Sequence, residues 1–153
     1  MTREHHDTIL LSLGNTRSQV ALTAADGTSQ TFALTLGLDA LTPGPFRQDP
    51  PTPLELEQAI MVVEDVLMPL AARIPPHSVV QLSSPVPLAA ILGGQELSRE
   101  SIERLFGQLV AMVEGDPLAA ARLPQDRRFA AALLILREWM HHLDAGSVVL
   151  VDG

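Results

Sequence analysis

Two short stretches of the chain carry side chains suited to holding an anion. Gly14-Asn15-Thr16-Arg17-Ser18 combines a glycine, an amide, two hydroxyls and a guanidinium between two apolar runs. A turn of this kind can bring backbone N–H groups close to a phosphate, with Arg17 offsetting its charge and Thr16 and Ser18 adding hydroxyl donors. The same residues also make an ordinary hairpin connection, in which Asn15 tolerates positive φ. Ser83-Ser84, just before Pro85, is placed to line the same cleft, or simply ends a strand in polar residues. Arg127-Arg128 opens a helix, where it can grip phosphate or stand as a solvated charged pair. Four of the five histidines occur in two pairs, His5-His6 and His141-His142, the second with Asp144 nearby. Adjacent residues on a helix point about 100° apart, so His141 and His142 do not easily share a metal. Cations near a helix C-terminus suit its dipole, and neither pair is assigned a metal. No G-x-S-x-G, H-E-x-x-H or G-x-G-x-x-G pattern occurs, and no catalytic residue is assigned.

The composition narrows the chemistry further. The chain has 153 residues, which reads as one domain spanning 1–153. With 46% hydrophobic residues it can bury a core. Its net charge is −8, and all ten basic residues are arginine. Without lysine, Schiff-base chemistry and the lysine-dependent phosphate loop are excluded. No basic run exists and aromatic residues are 3% of the chain, so nucleic acid is not an expected partner. Without cysteine there are no disulfides or thiolate metal sites. No apolar run approaches the ~18 residues of a membrane span, and no signal peptide is read at the N-terminus. A cytoplasmic location is the default, with Met1 to Asp7 expected to be disordered.

The elements that must position these residues follow from periodicity. Thr8 to Leu13, Ser18 to Ala24 and Thr28 to Leu36 read as a three-strand antiparallel meander, joined by Gly14–Arg17 and by Ala25-Asp26-Gly27. Gly37 to Pro51 is a proline-rich loop. Thr52-Pro53-Leu54-Glu55 then gives a capping box with proline at the first helical position. Leu56, Ile60, Val63, Leu67, Leu70 and Ile74 form one face of a helix predicted from Pro53 to Arg73. Val79 to Leu82 is a short strand, followed by an irregular segment with one apolar turn, Leu88 to Leu92. A second helix starts at Ser98, with Leu97 and Ile102 as a hydrophobic staple, and runs to Gly115. A third starts near Gln125, turns Phe129, Leu133, Leu136 and Met140 inward, and ends at Gly146; Trp139 is read as core. Ser147 to Val151 is the last strand. The order βββ-α-β-α-α-β is an α/β layer fold, with a mixed five-stranded sheet expected.

That order is similar to a ribonuclease H-like half-domain, the unit paired in sugar kinases, actin and heat-shock chaperones. Four segments resemble, in order, the second domain of the exopolyphosphatase / guanosine-pentaphosphate phosphatase (Ppx/GppA) family. They are Asp49 to Glu57, Leu97 to Leu105, Pro124 to Arg128 with Ala131 to Leu136, and Val148 to Gly153. The resemblance implies phosphoanhydride hydrolysis, of polyphosphate or guanosine pentaphosphate, in a cleft between two domains, with Mg2+ and a water activated by a glutamate of the first domain. It also implies a phosphate site at Gly14, Asn15, Thr16, Arg17, Ser18, Ser83 and Ser84. The family's D-I-G-G-G-S-T-E turn aligns with Ser12 to Gln19, so its acids become Ser12 and Gln19 and only Gly14 of its glycines remains. Its G-T-G-G-T turn aligns with Val80 to Ser84. The domain carrying the catalytic base has no counterpart here. The resemblance therefore implies a phosphohydrolase domain inactive by itself, working with a separate first-domain chain or as a homodimer, and binding Mg2+ only in that assembly. The alternative is a degenerate half that binds a phosphate-containing ligand or a protein partner without catalysis. The family chain continues past this point into a helix that packs on the sheet, so apolar surface is expected to lie open beside Val149 and Val151.

Overall fold

The computed structural model describes residues 8–39, 46–75 and 78–151. Strands β1 (Thr8–Ser12), β2 (Ser18–Thr23) and β3 (Ser29–Leu34) form the expected antiparallel meander. The β2–β3 turn is closed by Asp26, whose carboxylate accepts from the Thr28 N–H at 2.9 Å and the Thr28 hydroxyl at 2.7 Å. Gly27 sits at φ 91° there, a conformation that favours glycine. Strands β4 (Val79–Ser83) and β6 (Ser147–Val151) then add in parallel beside β1.

The sheet has six strands, not five, in the order β3-β2-β1-β4-β6-β5. The additional strand, β5 (Glu96–Ser98), pairs antiparallel with β6 at the edge. Its three residues are too few to show a period of two, and they double as the lead-in to the next helix. Ser98 is both the last strand residue and the helix N-cap, its hydroxyl accepting from the Ser101 N–H at 3.1 Å.

Both crossovers, β3 to β4 and β4 to β6, step across the sheet in the same direction. Right-handed connections therefore place their helices on one face. The first is α1 (Pro53–Leu67), whose capping box is complete: Glu55 N–H to Thr52 Oγ1 at 3.1 Å and Thr52 N–H to Glu55 Oε1 at 2.9 Å. It stops six residues before the expected Arg73, passing into a 3-10 turn at Met68–Leu70. Pro69 lacks an N–H and its ring crowds the carbonyl four residues back, which breaks the α-helical ladder there. The short helix α2 (Ala89–Leu92) lies in the segment after β4, and α3 (Arg99–Val113) is followed by the brief α4 (Pro117–Ala120), which periodicity had not shown.

Helix α5 (Arg127–His142) is the centre of the helical layer, packed between α1 and α3. Sequence periodicity assigns it one inward stripe, but every residue from Phe129 to Leu136 is buried, as are Glu138, Trp139 and Met140. The alanines at 130–132 explain the difference, because their small side chains let neighbouring elements close in on sides that a stripe leaves in water. Beneath this layer, Ile9, Leu11, Val20, Leu22, Val80, Leu82, Val148 and Leu150 point into the core. The alternate strand residues, among them Leu10, Ala21, Gln81, Val149 and Val151, are partly or fully exposed on the opposite face. No helix among the described residues is long and apolar enough to cross a membrane. The expected disorder of Met1–Asp7 and the pair His5-His6 lie outside the described residues.

Candidate functional site

The parallel pairing of β1 with β4 sets Ser12 beside Ser83, and the Leu13 N–H extends the ladder to the Ser83 carbonyl at 2.8 Å. Both strands therefore release their loops at the same end of the sheet. Between these loops lies an open cleft of about 340 Å³ lined by Leu13, Gly14, Asn15, Ser83, Ser84 and Pro85.

The β1–β2 turn is held rigidly. A Cβ on Gly14 would lie 2.3 Å from the Arg17 carbonyl oxygen, so only glycine fits. The Ser18 hydroxyl is buried beneath the turn, accepting from the Gly14 N–H at 3.4 Å and donating to the Leu36 carbonyl at 2.8 Å. The segment after β3 clamps it from the side: the Leu38 N–H donates to Gly14 O at 3.0 Å and the Asp39 N–H to Asn15 O at 2.9 Å. This approach is so close that a Cβ on Gly37 would meet the Asn15 carbonyl oxygen at 2.4 Å.

Helix α5 begins at the same end. Arg128 donates from Nη2 to the Asn15 side-chain oxygen, binding the helix start to the turn. Arg127 is matched by Asp49, which accepts from its N–H at 2.7 Å and from Nη1 at 3.0 Å. Asp126 caps the helix, accepting from the Arg128 N–H at 2.9 Å. Both arginines are half-buried, not a solvated pair, and Arg128 enters the site through a partner 113 residues away in sequence. No local pattern announces such a contact. Gly37 is equally hidden, since only the folded turn makes its missing side chain necessary.

The residues singled out in the sequence are divided by this geometry. Gly14, Asn15, Ser83 and Ser84 share the cleft. Arg17 and Ser18 line a neighbouring hollow of about 410 Å³ on the other side of the turn, together with Ser12, Gln19 and Thr31. Thr16 is exposed and lines neither. The Ser18 hydroxyl is committed internally, and the Ser84 hydroxyl accepts from the Val86 N–H at 3.1 Å. Arg17 is exposed, and no ion pair engages it among the described residues.

The donor set favours an anion. Amide, hydroxyl and guanidinium groups surround the turn, and no carboxylate lines either hollow among the described residues. Magnesium is ordinarily held through one or two carboxylates with waters and substrate phosphates, so these residues do not fit it. A general base is likewise missing from the lining.

At the far end of α5 the histidine pair separates. Asp144 pairs with Arg99 at 3.0 Å, and His142 turns toward α1 and Glu138. The rings of His141 and His142 remain in edge-to-face contact, their centroids 4.8 Å apart, while the His142 Nε2 faces the Glu64 and Glu138 carboxylates.

No protein-family model and no curated protein matches the sequence. Solved structures do match its fold. A Ppx/GppA enzyme of Aquifex aeolicus superposes with a TM-score of 0.74 at 16% identity, over 97% of this chain and 54% of that one. An exopolyphosphatase-like protein gives 0.65 at 13% identity, over 99% and 57%. An exopolyphosphatase of Cytophaga hutchinsonii gives 0.63 at 17% identity, over 97% and 54%. This chain has the ribonuclease H-like, actin-type α/β fold of those proteins and spans about half their length.

Proposed function

We propose that the chain is the phosphate-binding half of a Ppx/GppA-type phosphohydrolase, corresponding to the second domain, and that it does not hydrolyse phosphoanhydrides by itself. The observation that carries this reading is the meeting of the Gly14–Asn15 turn, Ser83 and Arg128 at one end of β1, β4 and α5. Fold alone does not establish function, and it is this donor-lined cleft that gives the fold a chemistry. Polyphosphate or a guanosine pentaphosphate-type nucleotide is the ligand class, with the backbone of the turn meeting the phosphate and Arg17, from the adjoining hollow, offsetting its charge. Carboxylates for the base and for Mg2+ would come from the other half of the cleft.

The side chains in and around this cleft also favour weak binding. Asn15 is engaged by Arg128, Arg127 by Asp49, and the Ser84 hydroxyl by its own loop. A chain at −8 repels polyanions at long range. Titration calorimetry at low salt with polyphosphate and magnesium is expected to give an affinity no tighter than roughly micromolar, lost in Arg17→Ala. Incubation with the same mixture should release no phosphate. Hydrolysis by the purified chain would refute the reading, as would a complete lack of phosphate affinity.

A further inference from the structure

Helix α5 carries one charged group at odds with its surroundings. Glu138 is completely buried on a helix otherwise packed in apolar side chains. A buried carboxylate is strongly destabilising unless its oxygens are engaged. Arg137 takes one of them, donating from Nη1 to Glu138 Oε2. Arg137 is itself fixed, with Nε 3.3 Å from Glu103 Oε1 and its guanidinium 4.9 Å from the Phe106 ring centre. Burial alone would lower the Arg137 pKa, but Glu138 and Glu103 more than reverse this and hold it above its ordinary value.

The other oxygen faces a histidine. His142, one turn further along, brings Nε2 to 3.2 Å from Glu138 Oε1. The same nitrogen lies 3.2 Å from Glu64 Oε2 on α1. A single N–H directs its hydrogen well at one acceptor, yet here two carboxylates on different helices stand at equal distance. A single cation taken up by all three atoms accounts for that equality. Ligands about 2.0–2.1 Å from a tetrahedral Zn2+ are separated by roughly 3.3 Å, close to both observed distances. The three ligand atoms all lie within 4.8 Å of one another, and Glu64, whose side chain is 43% exposed, has room to close the remaining edge.

We propose that Glu64, Glu138 and His142 bind Zn2+, clamping α1 to α5 and leaving a fourth position open toward solvent. Imidazole with carboxylates suits zinc, whereas Mg2+ prefers an octahedral shell of oxygens. Arg137 orients the buried ligand by occupying Oε2 and leaving Oε1 to the metal, as outer-shell partners of metal carboxylates do. The site is separate from the anion cleft. Arg128 and Glu138 are ten residues apart on one helix, roughly 15 Å along its axis.

The test is calorimetric titration of Zn2+ into the full chain with excess Mg2+ present throughout. One Zn2+ per chain is expected, at micromolar affinity or tighter. Glu64→Gln and His142→Ala, both at partly exposed positions, should each weaken binding at least about tenfold. His141→Ala and the double variant His5→Ala/His6→Ala should bind as the parent does. At a hundredfold excess over Kd, zinc should raise Tm by roughly 5–10 °C. Co2+ in its place should give the visible absorption of a four-coordinate ion, absent in His142→Ala. Failure to bind Zn2+, binding that survives both ligand substitutions, or binding that depends on His5 and His6 would each overturn the proposal.

Discussion

Gly37→Ala tests whether the segment after β3 is what holds the candidate site in shape. Position 37 has no positive φ to make glycine necessary; space alone demands it. An added methyl would sit 2.4 Å from Asn15 O, 2.6 Å from Asn15 C and 2.7 Å from Thr16 C, all backbone atoms. Backbone cannot swing aside as a side-chain tip can, so the turn and the segment must separate. Separation breaks the Leu38-to-Gly14 and Asp39-to-Asn15 hydrogen bonds, each contributing about 1 kcal/mol net. Overpacking adds about 1–3 kcal/mol where the two chains remain in contact. The sum is a loss of roughly 3–5 kcal/mol. At about 2–4 °C per kcal/mol for a chain of this size, Tm should fall by roughly 6–20 °C. Thermal unfolding followed by circular dichroism measures this directly. Gly107→Ala on α3 is the control: its Cβ would meet open space, and alanine in a helix should gain up to about 1 kcal/mol. A second readout follows from Asn15. If the clamp positions it against Arg128, then Arg128→Ala should cost less in the Gly37→Ala background than in the parent. A Gly37→Ala protein that melts within a degree or two of the parent would show that the turn does not depend on this contact.

Ser18→Ala should destabilise by about 1–3 kcal/mol in chemical denaturation, because the buried Leu36 carbonyl and Gly14 N–H both lose a partner; a loss below about 0.5 kcal/mol would mean that the hydroxyl is dispensable. Asp49→Ala removes an exposed pairing with Arg127 and should cost only about 1 kcal/mol, less in high salt; an effect unchanged by salt would argue against an electrostatic origin. Thr28 lowers the Asp26 pKa through its side-chain and backbone hydrogen bonds. A folded-state pKa below the ordinary carboxylate value means that the turn's contribution is complete above that value and is lost as pH falls through the lowered one. Followed by NMR, the Thr28 amide shift should therefore hold through the usual carboxylate range and move only below it, whereas in Thr28→Ala the Asp26 titration should return toward that range.

What the sequence made legible was whatever one element decides for itself. The Thr52–Glu55 capping box, the Ser98 helix start and the Asp26-Gly27 turn each lie within a few residues, and each formed where the spacing placed it. Edges failed where two local signals competed, as at Pro69, or where an element was too short to have a period, as at β5. The candidate site was legible only in part because its cohesion is long-range. Arg128 reads as a surface charge until α5 is laid against the β1–β2 turn, and Gly37 reads as one more loop glycine until Asn15 arrives beside it. The same holds for His142, whose adjacency to His141 suggested a pair of cations at a helix end. The sequence neighbour was the wrong partner to examine: the carboxylates that face His142 sit one turn back on the same helix and 78 residues earlier on α1. Glu138 held the readable clue, a lone acid within the run Phe129 to Met140, where Arg137 is the only other charge. A carboxylate in such a run must be neutralised by something, and asking what neutralises it leads from α5 to Arg137, to His142 and on to Glu64.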